Sequence, residues 1–245
     1  MPELPVHPAL AHVVDRIDCL ASEDALAQVL PSTGAVLGFQ LCGRVRSEHA
    51  LLSTAGVTGI QQGARQYRYL GRTVSILVRF TAQGAACLGA PAHALRDRSL
   101  ALDDLLPSSQ VRALVEPLAG ASPEAASQAI QRFLRALRFE PDPRVALALQ
   151  LLEARWNDGL RVRDLARSTG LGERQLERRF LHAVGLSPRR YASLLRFERA
   201  VVLARTAPSL TRVALEAGYA DQSHFIRAFK GFAGAAPGQL LGGLR

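Results

Sequence analysis

The sequence predicts an α+β protein, with a β-rich N-terminal half trailed by helices and then an all-α C-terminal portion. Three observations carry this. Short alternating or β-branched apolar runs, separated by glycine-containing turns, occupy much of residues 35–80; apolar residues at three- and four-residue steps dominate after residue 107; and the net charge is confined to the C-terminal portion. Residues 1–143 hold 13 Lys+Arg against 13 Asp+Glu, whereas residues 144–245 hold 17 against 8, which is the whole net charge of +9. A neutral region joined to a basic one fits a sensing or pairing domain ahead of one that meets a polyanion, with nucleic acid the leading candidate.

In chain order, residues 35–46 (AVLGFQLCGRVR), the segment around 51–60 and residues 73–80 (TVSILVRF) read as strands. Val111, Leu114, Val115 and Leu118 then keep helical spacing, as do Ala129, Ile130, Phe133, Leu134 and Leu137 after a Ser122-Pro123 start. The two prolines of RFEPDPR (138–144) break the helical pattern, which predicts a domain of residues 1–140 and another of 141–245. Val145, Leu149, Leu152 and Trp156 make the next helix, closed by Asn157-Asp158-Gly159.

The stretch LARSTGLGERQLERRF (165–180) combines core spacing with four arginines. Val162, Leu165 and Ala166 face inward on a short helix, Thr169-Gly170-Leu171 turns the chain, and a second helix from Glu173 to Ala183 buries Leu176 and Phe180, an i,i+4 pair. This is helix-turn-helix spacing, over about 161–183. Its outer face then carries Arg174, Gln175, Glu177 and Arg178, residue types that pair with guanine, adenine and cytosine edges. Residues 210–232 repeat the design with Val213, Ala214 and Ala217, the turn Gly218-Tyr219, a capping Asp221, inward Phe225 and Phe229, and outward Gln222, Ser223, His224 and Arg227. Between the units, a helix of about 19 residues, or ~28 Å, is predicted from Ser187-Pro188 to near Pro208, with Leu194, Leu195, Phe197, Val201, Val202 and Leu203 packing on both sides.

Composition closes off several classes. At 245 residues with 48% hydrophobic and 21% charged residues, the chain folds. No run reaches the ~18 apolar residues of a membrane span and MPELPVHPAL lacks signal-peptide order, so a cytoplasmic, nucleoid-associated location and no membrane partner are expected. Cys19, Cys42 and Cys87 have neither framework nor metal spacing, and His7, His12, His49 and His93 are scattered, so no cofactor and no metal are expected.

The runs LRVRDLARSTGLGERQLERRFLHAVGLSPRRYASLLRFERAVVLA and LTRVALEAGYADQSHFIRAFKGFAGAAPGQL resemble the C-terminal DNA-binding domain of AraC-type transcriptional regulators over about 100 residues. The resemblance implies a sequence-specific regulator without catalytic residues, in which Arg174, Glu177 and Arg178 contact bases from the first unit and Gln222, Ser223, His224 and Arg227 occupy the matching helix of the second. It places Ser187, Arg189 and Arg190 near phosphates. Gly172 stands where the family has a capping Ser or Thr, and a Gly-rich tail stands where a regular final helix is common. GAPAHALRDRSLALDDLL resembles, more distantly, the cupin-like regulatory domain of such proteins. Double-stranded DNA, a small-molecule effector, a second copy of the chain and RNA polymerase are the partners so implied.

Arg65, Arg68 and Arg72, interleaved with Tyr67 and Tyr69, fit an acidic-ligand pocket, a dimer edge or an exposed amphipathic strand equally well. Two other classes compete for the whole chain. One is a DNA-repair alkyl-acceptor sharing this DNA-binding module, although none of the three cysteines has an activating neighbour; the other is a non-specific architectural DNA binder, against which the polar outer faces speak.

Overall fold

The computed structural model describes residues 2–155, 161–207 and 209–240. Trp156, the turn expected at 157–159 and Pro208 lie outside the described residues. The α+β order read from the sequence is what the chain adopts. Its strands are β1 (Glu3–Leu4), β2 (Val14–Glu23), β3 (Leu26–Val29), β4 (Val36–Ser47), β5 (Ala55–Thr58), β6 (Arg65–Phe80) and β7 (Ser99–Ala101). They form one antiparallel sheet in the order β1-β2-β6-β4-β5-β7, with β3 beside the first part of β6.

Strand β6 is twice as long as the 73–80 run suggests, because Arg65 to Arg72 continue it. It stays paired with β4 through register shifts around Cys42. Gly43 permits them: its φ is +72°, and a Cβ there would sit 2.4 Å from the Arg72 carbonyl oxygen. Strand β2 had no place in the sequence reading. Its alternation is interrupted by Asp15, Arg16 and Asp18, and a register irregularity between Val14 and Arg16 shifts its faces. The buried Asp18 carboxylate is compensated by Arg79 Nε at 2.7 Å and Arg16 Nε at 3.3 Å.

One sheet face, with Leu37, Phe39, Ile76 and Val78, packs on Leu114, Ile130 and Leu134. These come from α2 (Ser108–Val115) and α3 (Pro123–Ala136), which follow a short α1 (Ala92–Leu95). The other face is left partly bare. Gly38 and Gly56 oppose each other there, and with Ser75, Leu77 and Arg79 they line a cavity of about 710 Å³.

The C-terminal helices are α4 (Pro143–Ala154), α5 (Val162–Thr169), α6 (Glu173–Val184), α7 (Pro188–Leu203), α8 (Leu210–Glu216), α9 (Gln222–Ala233) and α10 (Pro237–Leu240). Side-chain caps start several of them: Asp142 accepts from the Arg144 and Val145 amides, Ser187 from Arg190 and Asp221 from His224. Their apolar faces share a second core that also takes in Ile60 from the N-terminal region.

Helix α7 is shorter than expected, at 16 residues or ~24 Å. Its end tightens into three-residue steps, Arg205 N–H to Val202 O and Thr206 N–H to Leu203 O, and the Thr206 hydroxyl also donates to Leu203 O. Val202, expected inward, is 63% exposed. Phe197 packs as expected, joined by Tyr191, which the spacing did not single out: Tyr191 meets Phe180 edge-on at 5.6 Å between ring centroids, and Phe197 meets Phe229 at 5.2 Å. Six positions apart on a helix, they point in different directions and tie α7 to both units.

Candidate nucleic-acid interface

The two helix-turn-helix units are built by the same backbone device. Gly170 and Gly218 take left-handed φ values of +66° and +69°. The next amide in each case, Leu171 or Tyr219, donates back to the carbonyl of Ala166 or Ala214, at 2.9 Å in both. Ala166 and Ala214 are 2% and 1% exposed, which lets each pair of helices approach closely. Leu176, Phe180, Phe225 and Phe229 are fully buried, as their spacing predicts.

With those side chains inward, Arg174, Gln175, Glu177 and Arg178 all stand exposed on α6. None of the four has a hydrogen bond or ion pair through its side chain among the described residues; the nearby charges pair elsewhere, Arg179 with Asp142 at 2.9 Å and Arg167 with Asp164 at 3.7 Å. The face therefore keeps two guanidinium groups, an amide and a carboxylate available to an incoming surface.

On α9, Ser223 and Arg227 are exposed, while Gln222 and His224 are half-buried and engaged. The Thr211 hydroxyl donates to Gln222 Oε1 at 2.8 Å. His224 stands edge-on to Tyr219 at 5.3 Å. Burial raises the Tyr219 hydroxyl to about 12, opposed by the Arg196 charge, so the phenol stays neutral in this packing.

At the start of α7 the predicted backbone-contacting residues separate. Arg189 is exposed with no partner for its guanidinium among the described residues, and the Ser187 hydroxyl caps the helix. Arg190 reaches toward the N-terminal region: its Nε donates to Gln62 Oε1 at 3.2 Å and its guanidinium lies 4.6 Å from the Phe232 ring centre. No sequence signal joins residues 128 positions apart. The same holds for Arg96, which donates to the Gly185 carbonyl at the end of α6, and for Ala64, whose amide donates to Phe232 O at 2.8 Å.

The interleaved arginines and tyrosines of β6 divide by side. Arg65, Tyr67 and Tyr69 line the cavity, whereas Arg68 and Arg72 are exposed and do not. A smaller cavity of about 350 Å³ lies between the sheet and α4 and α7, where burial raises the Glu198 carboxyl beside Thr33. Spacing on α7 marks Glu198 only as a polar position, so sequence reasoning passes over it.

Comparison with known proteins bears on this arrangement. Residues 165–242 match a family described as a helix-turn-helix domain. The chain is 31% identical over 99 residues to the HTH-type transcriptional regulator MtrA of Neisseria gonorrhoeae, covering 40% of this chain and 33% of MtrA. It is 31% identical over 96 residues to the HTH-type transcriptional regulator ArgR of Pseudomonas aeruginosa, covering 39% of this chain and 29% of ArgR. The chain thus spans about a third of the length of these relatives. Among solved structures, ToxT of Vibrio cholerae superimposes over 92% of this chain and 97% of its own, with a TM-score of 0.51 at 12% identity. A ToxT complex with (E)-4-(8-methylnaphthalen-1-yl)but-3-enoic acid gives 0.50 at 13%, over 92% and 98% of the two chains. Residues 165–242 thus carry a helix-turn-helix domain similar to those of these regulators, in keeping with the AraC-type resemblance of its motifs, and the chain shares the fold of ToxT.

Proposed function

We propose that the protein is a sequence-specific DNA-binding transcription regulator controlled by a ligand held in its N-terminal domain, residues 1–140, with residues 141–245 as the DNA-binding domain. The observation that carries this is the outer face of α6, where Arg174, Gln175, Glu177 and Arg178 are exposed and uncommitted over a fully buried Leu176 and Phe180. Two units with one geometry suit adjacent major-groove segments. On α9, Ser223 and Arg227 are free to reach bases, with Gln222 and His224 set by their neighbours. Arg189, and Arg190 once it leaves Gln62, would meet phosphates beside Ser187. The relatives' regulator names and the concentration of positive charge after residue 143 support the same reading.

Two of the three cysteines speak against an alkyl-acceptor, and the third, the exposed Cys42, donates its thiol to the Arg72 carbonyl oxygen at 3.4 Å. Cys19 and Cys87 are buried, and burial raises both thiols, Cys87 to about 12, which works against the thiolate such chemistry needs. Incubation with methylated DNA should leave all three cysteines unmodified by mass spectrometry. No helix among the described residues is long and apolar enough to cross a membrane. Cytoplasmic residence, pairing with a second copy and contact with RNA polymerase belong to this proposal.

Selection from randomised DNA tests it. A defined motif should emerge, and binding to it should weaken linearly in log–log form as salt rises, by about 0.9 per phosphate neutralised. Uniform binding to all sequences would leave only an architectural role.

A further inference from the structure

Beyond Gly43, β4 pairs with the first part of β6, and β3 lies along the other edge of β6. The register sets Arg46 directly opposite Arg68, Arg68 opposite Leu26, and Arg44 opposite Leu70. Paired residues share a face, and a strand returns to the same face at every second residue, so these five side chains stand together. All five are exposed. Val45, Tyr67 and Tyr69 take the opposite face and line the cavity.

The balance of 13 basic and 13 acidic residues over 1–143 conceals this patch. The side chains of Arg44, Arg46 and Arg68 have no hydrogen bond or ion pair among the described residues. Carboxylates in the neighbourhood are engaged: Glu48 accepts from the Gln66 amide at 3.2 Å, Asp24 accepts from the Gly71 amide at 2.7 Å, and Glu23 stands opposite Arg72. Like charges set directly opposite on a sheet face are destabilising. Arg46 and Arg68 therefore repel in the free protein, and a bound polyanion would relieve that repulsion.

Position decides which polyanion. Gln28, opposite Gln66 on the same face, donates its side-chain amide to the Ala233 carbonyl oxygen at the end of α9, at 3.0 Å. The Ala64 amide, just before β6, holds the preceding carbonyl, Phe232 O, at 2.8 Å. On α9 the exposed Ser223, Arg227 and Lys230 stand at i, i+4 and i+7, one stripe that runs from the helix start toward those two bonds. The reading stripe of the second unit thus leads to the arginine face. From the row of Gln28 and Gln66, Arg46 and Arg68 lie two residues on and Arg44 four, or ~7 and ~13 Å along the strands. That reach matches about four base pairs of duplex.

We propose that Arg44, Arg46 and Arg68 form a further DNA-contacting surface, which holds the phosphate backbone of the duplex flanking the half of the site read by α9. The inference rests on the DNA-binding reading above and extends the contact to the N-terminal domain. A guanidinium suits the task because its paired N–H donors match phosphate oxygens. Contacts to the backbone carry no sequence information, so this surface adds affinity and salt dependence without changing base preference.

Binding of the full chain to the selected site is compared on the bare site and on the site lengthened by about ten base pairs at one end or the other. The end read by α9 is the one at which Arg227→Ala relaxes base preference. Lengthening that end should strengthen wild-type binding roughly tenfold at about 0.1 M salt and steepen the slope of log K against log salt by about 2 to 3, at about 0.9 per phosphate. Lengthening the other end should change neither. Arg44→Gln, Arg46→Gln and Arg68→Gln combined should lose both gains while binding the bare site within about twofold of wild type, which also shows that the variant folds. Arg46→Gln alone, which removes the like-charge pair, should lose about 1 from that slope without lowering the thermal midpoint. No gain at the α9 end in the wild type, or a gain that survives the triple substitution, overturns the proposal and leaves the face to a protein partner. If selection from randomised DNA yields no motif, the functional reading fails by itself. The arginine face is then judged on a long random duplex, where an equal salt slope in the wild type and the triple variant overturns it.

Discussion

The two helix-turn-helix units share a backbone and differ in almost everything laid over it. Each turns on a left-handed glycine, and each closes with an amide donating to a buried alanine. The first is sealed mainly by aliphatic side chains, with Phe180 against Tyr191 as its aromatic contact, and shows an uncommitted polar face on α6. The second is sealed by rings, Phe225, Phe229, Phe197 and Tyr219, and has Gln222 and His224 already occupied by Thr211 and Tyr219. The helix starts differ too, Asp221 capping α9 and Gly172 leaving α6 without a side-chain cap. A repeated fold thus has two separable parts: turn and packing residues are constrained by geometry, whereas outer faces and caps are free to diverge. On the proposed function, α6 offers bases four uncommitted side chains and α9 two, Ser223 and Arg227.

The largest expected effect tests the aromatic seal. Phe229 is fully buried and touches both Phe225 and Phe197, so Phe229→Ala should cost about 3–5 kcal/mol through lost contacts and the cavity left behind. Chemical denaturation of the full chain measures it. A loss under about 1 kcal/mol would mean that the second unit is not held by its rings, and the contrast between the cores would go.

Next comes the contrast between faces. Arg178→Ala should cost about 1–3 kcal/mol on the selected site and relax preference at one or two positions, without lowering thermal stability, since the guanidinium has no intramolecular partner among the described residues. Arg189→Ala should instead weaken all sequences alike and reduce the salt slope by about 1. If Arg178→Ala behaves as Arg189→Ala does, α6 touches the backbone and its proposed contacts with bases fail.

How much of this was legible depends on the range of the interactions that fix it. Phe225 and Phe229, Leu176 and Phe180, and the glycines of both turns are visible in sequence because helical spacing and turn chemistry act within a few residues. Strand β2 was not, because the shorter of the two arginine contacts that let Asp18 stay buried in the sheet comes from Arg79, 61 positions away. The cavity's tyrosines showed as an alternation around Arg65, but alternation cannot tell a cavity wall from a sheet edge. Arg190 was read by its neighbours in sequence as a phosphate contact, while its partner Gln62 lies 128 positions upstream. Local patterns reveal helices α6 and α9; the contacts of Gln62 and Ala64 with Arg190 and Phe232 leave no mark in any local pattern.

Capping gives the smaller effects. The Asp221 carboxylate accepts from the His224 amide at 2.7 Å, and Asp221→Ala should cost about 1 kcal/mol by leaving that amide without its partner.

Gly172→Ser should act in the opposite direction and more weakly. Gly172 has φ −72° and ψ 152°, extended values that serine adopts without strain, and nothing lies within 4 Å of where its Cβ would stand. A serine hydroxyl there can accept from the Gln175 amide, which now bonds to the Gly172 carbonyl at 3.0 Å, as Asp221 does for His224 in the other unit. Glycine is already a fair starting residue, so the gain is a few tenths of a kcal/mol. Hydrogen exchange at the first-turn amides of α6 should slow by roughly twofold, with the amides of α9 unchanged. Faster exchange in α6 would mean that the start of this helix is shaped by something other than its missing cap, and the likeness of the two units would stop at the turn.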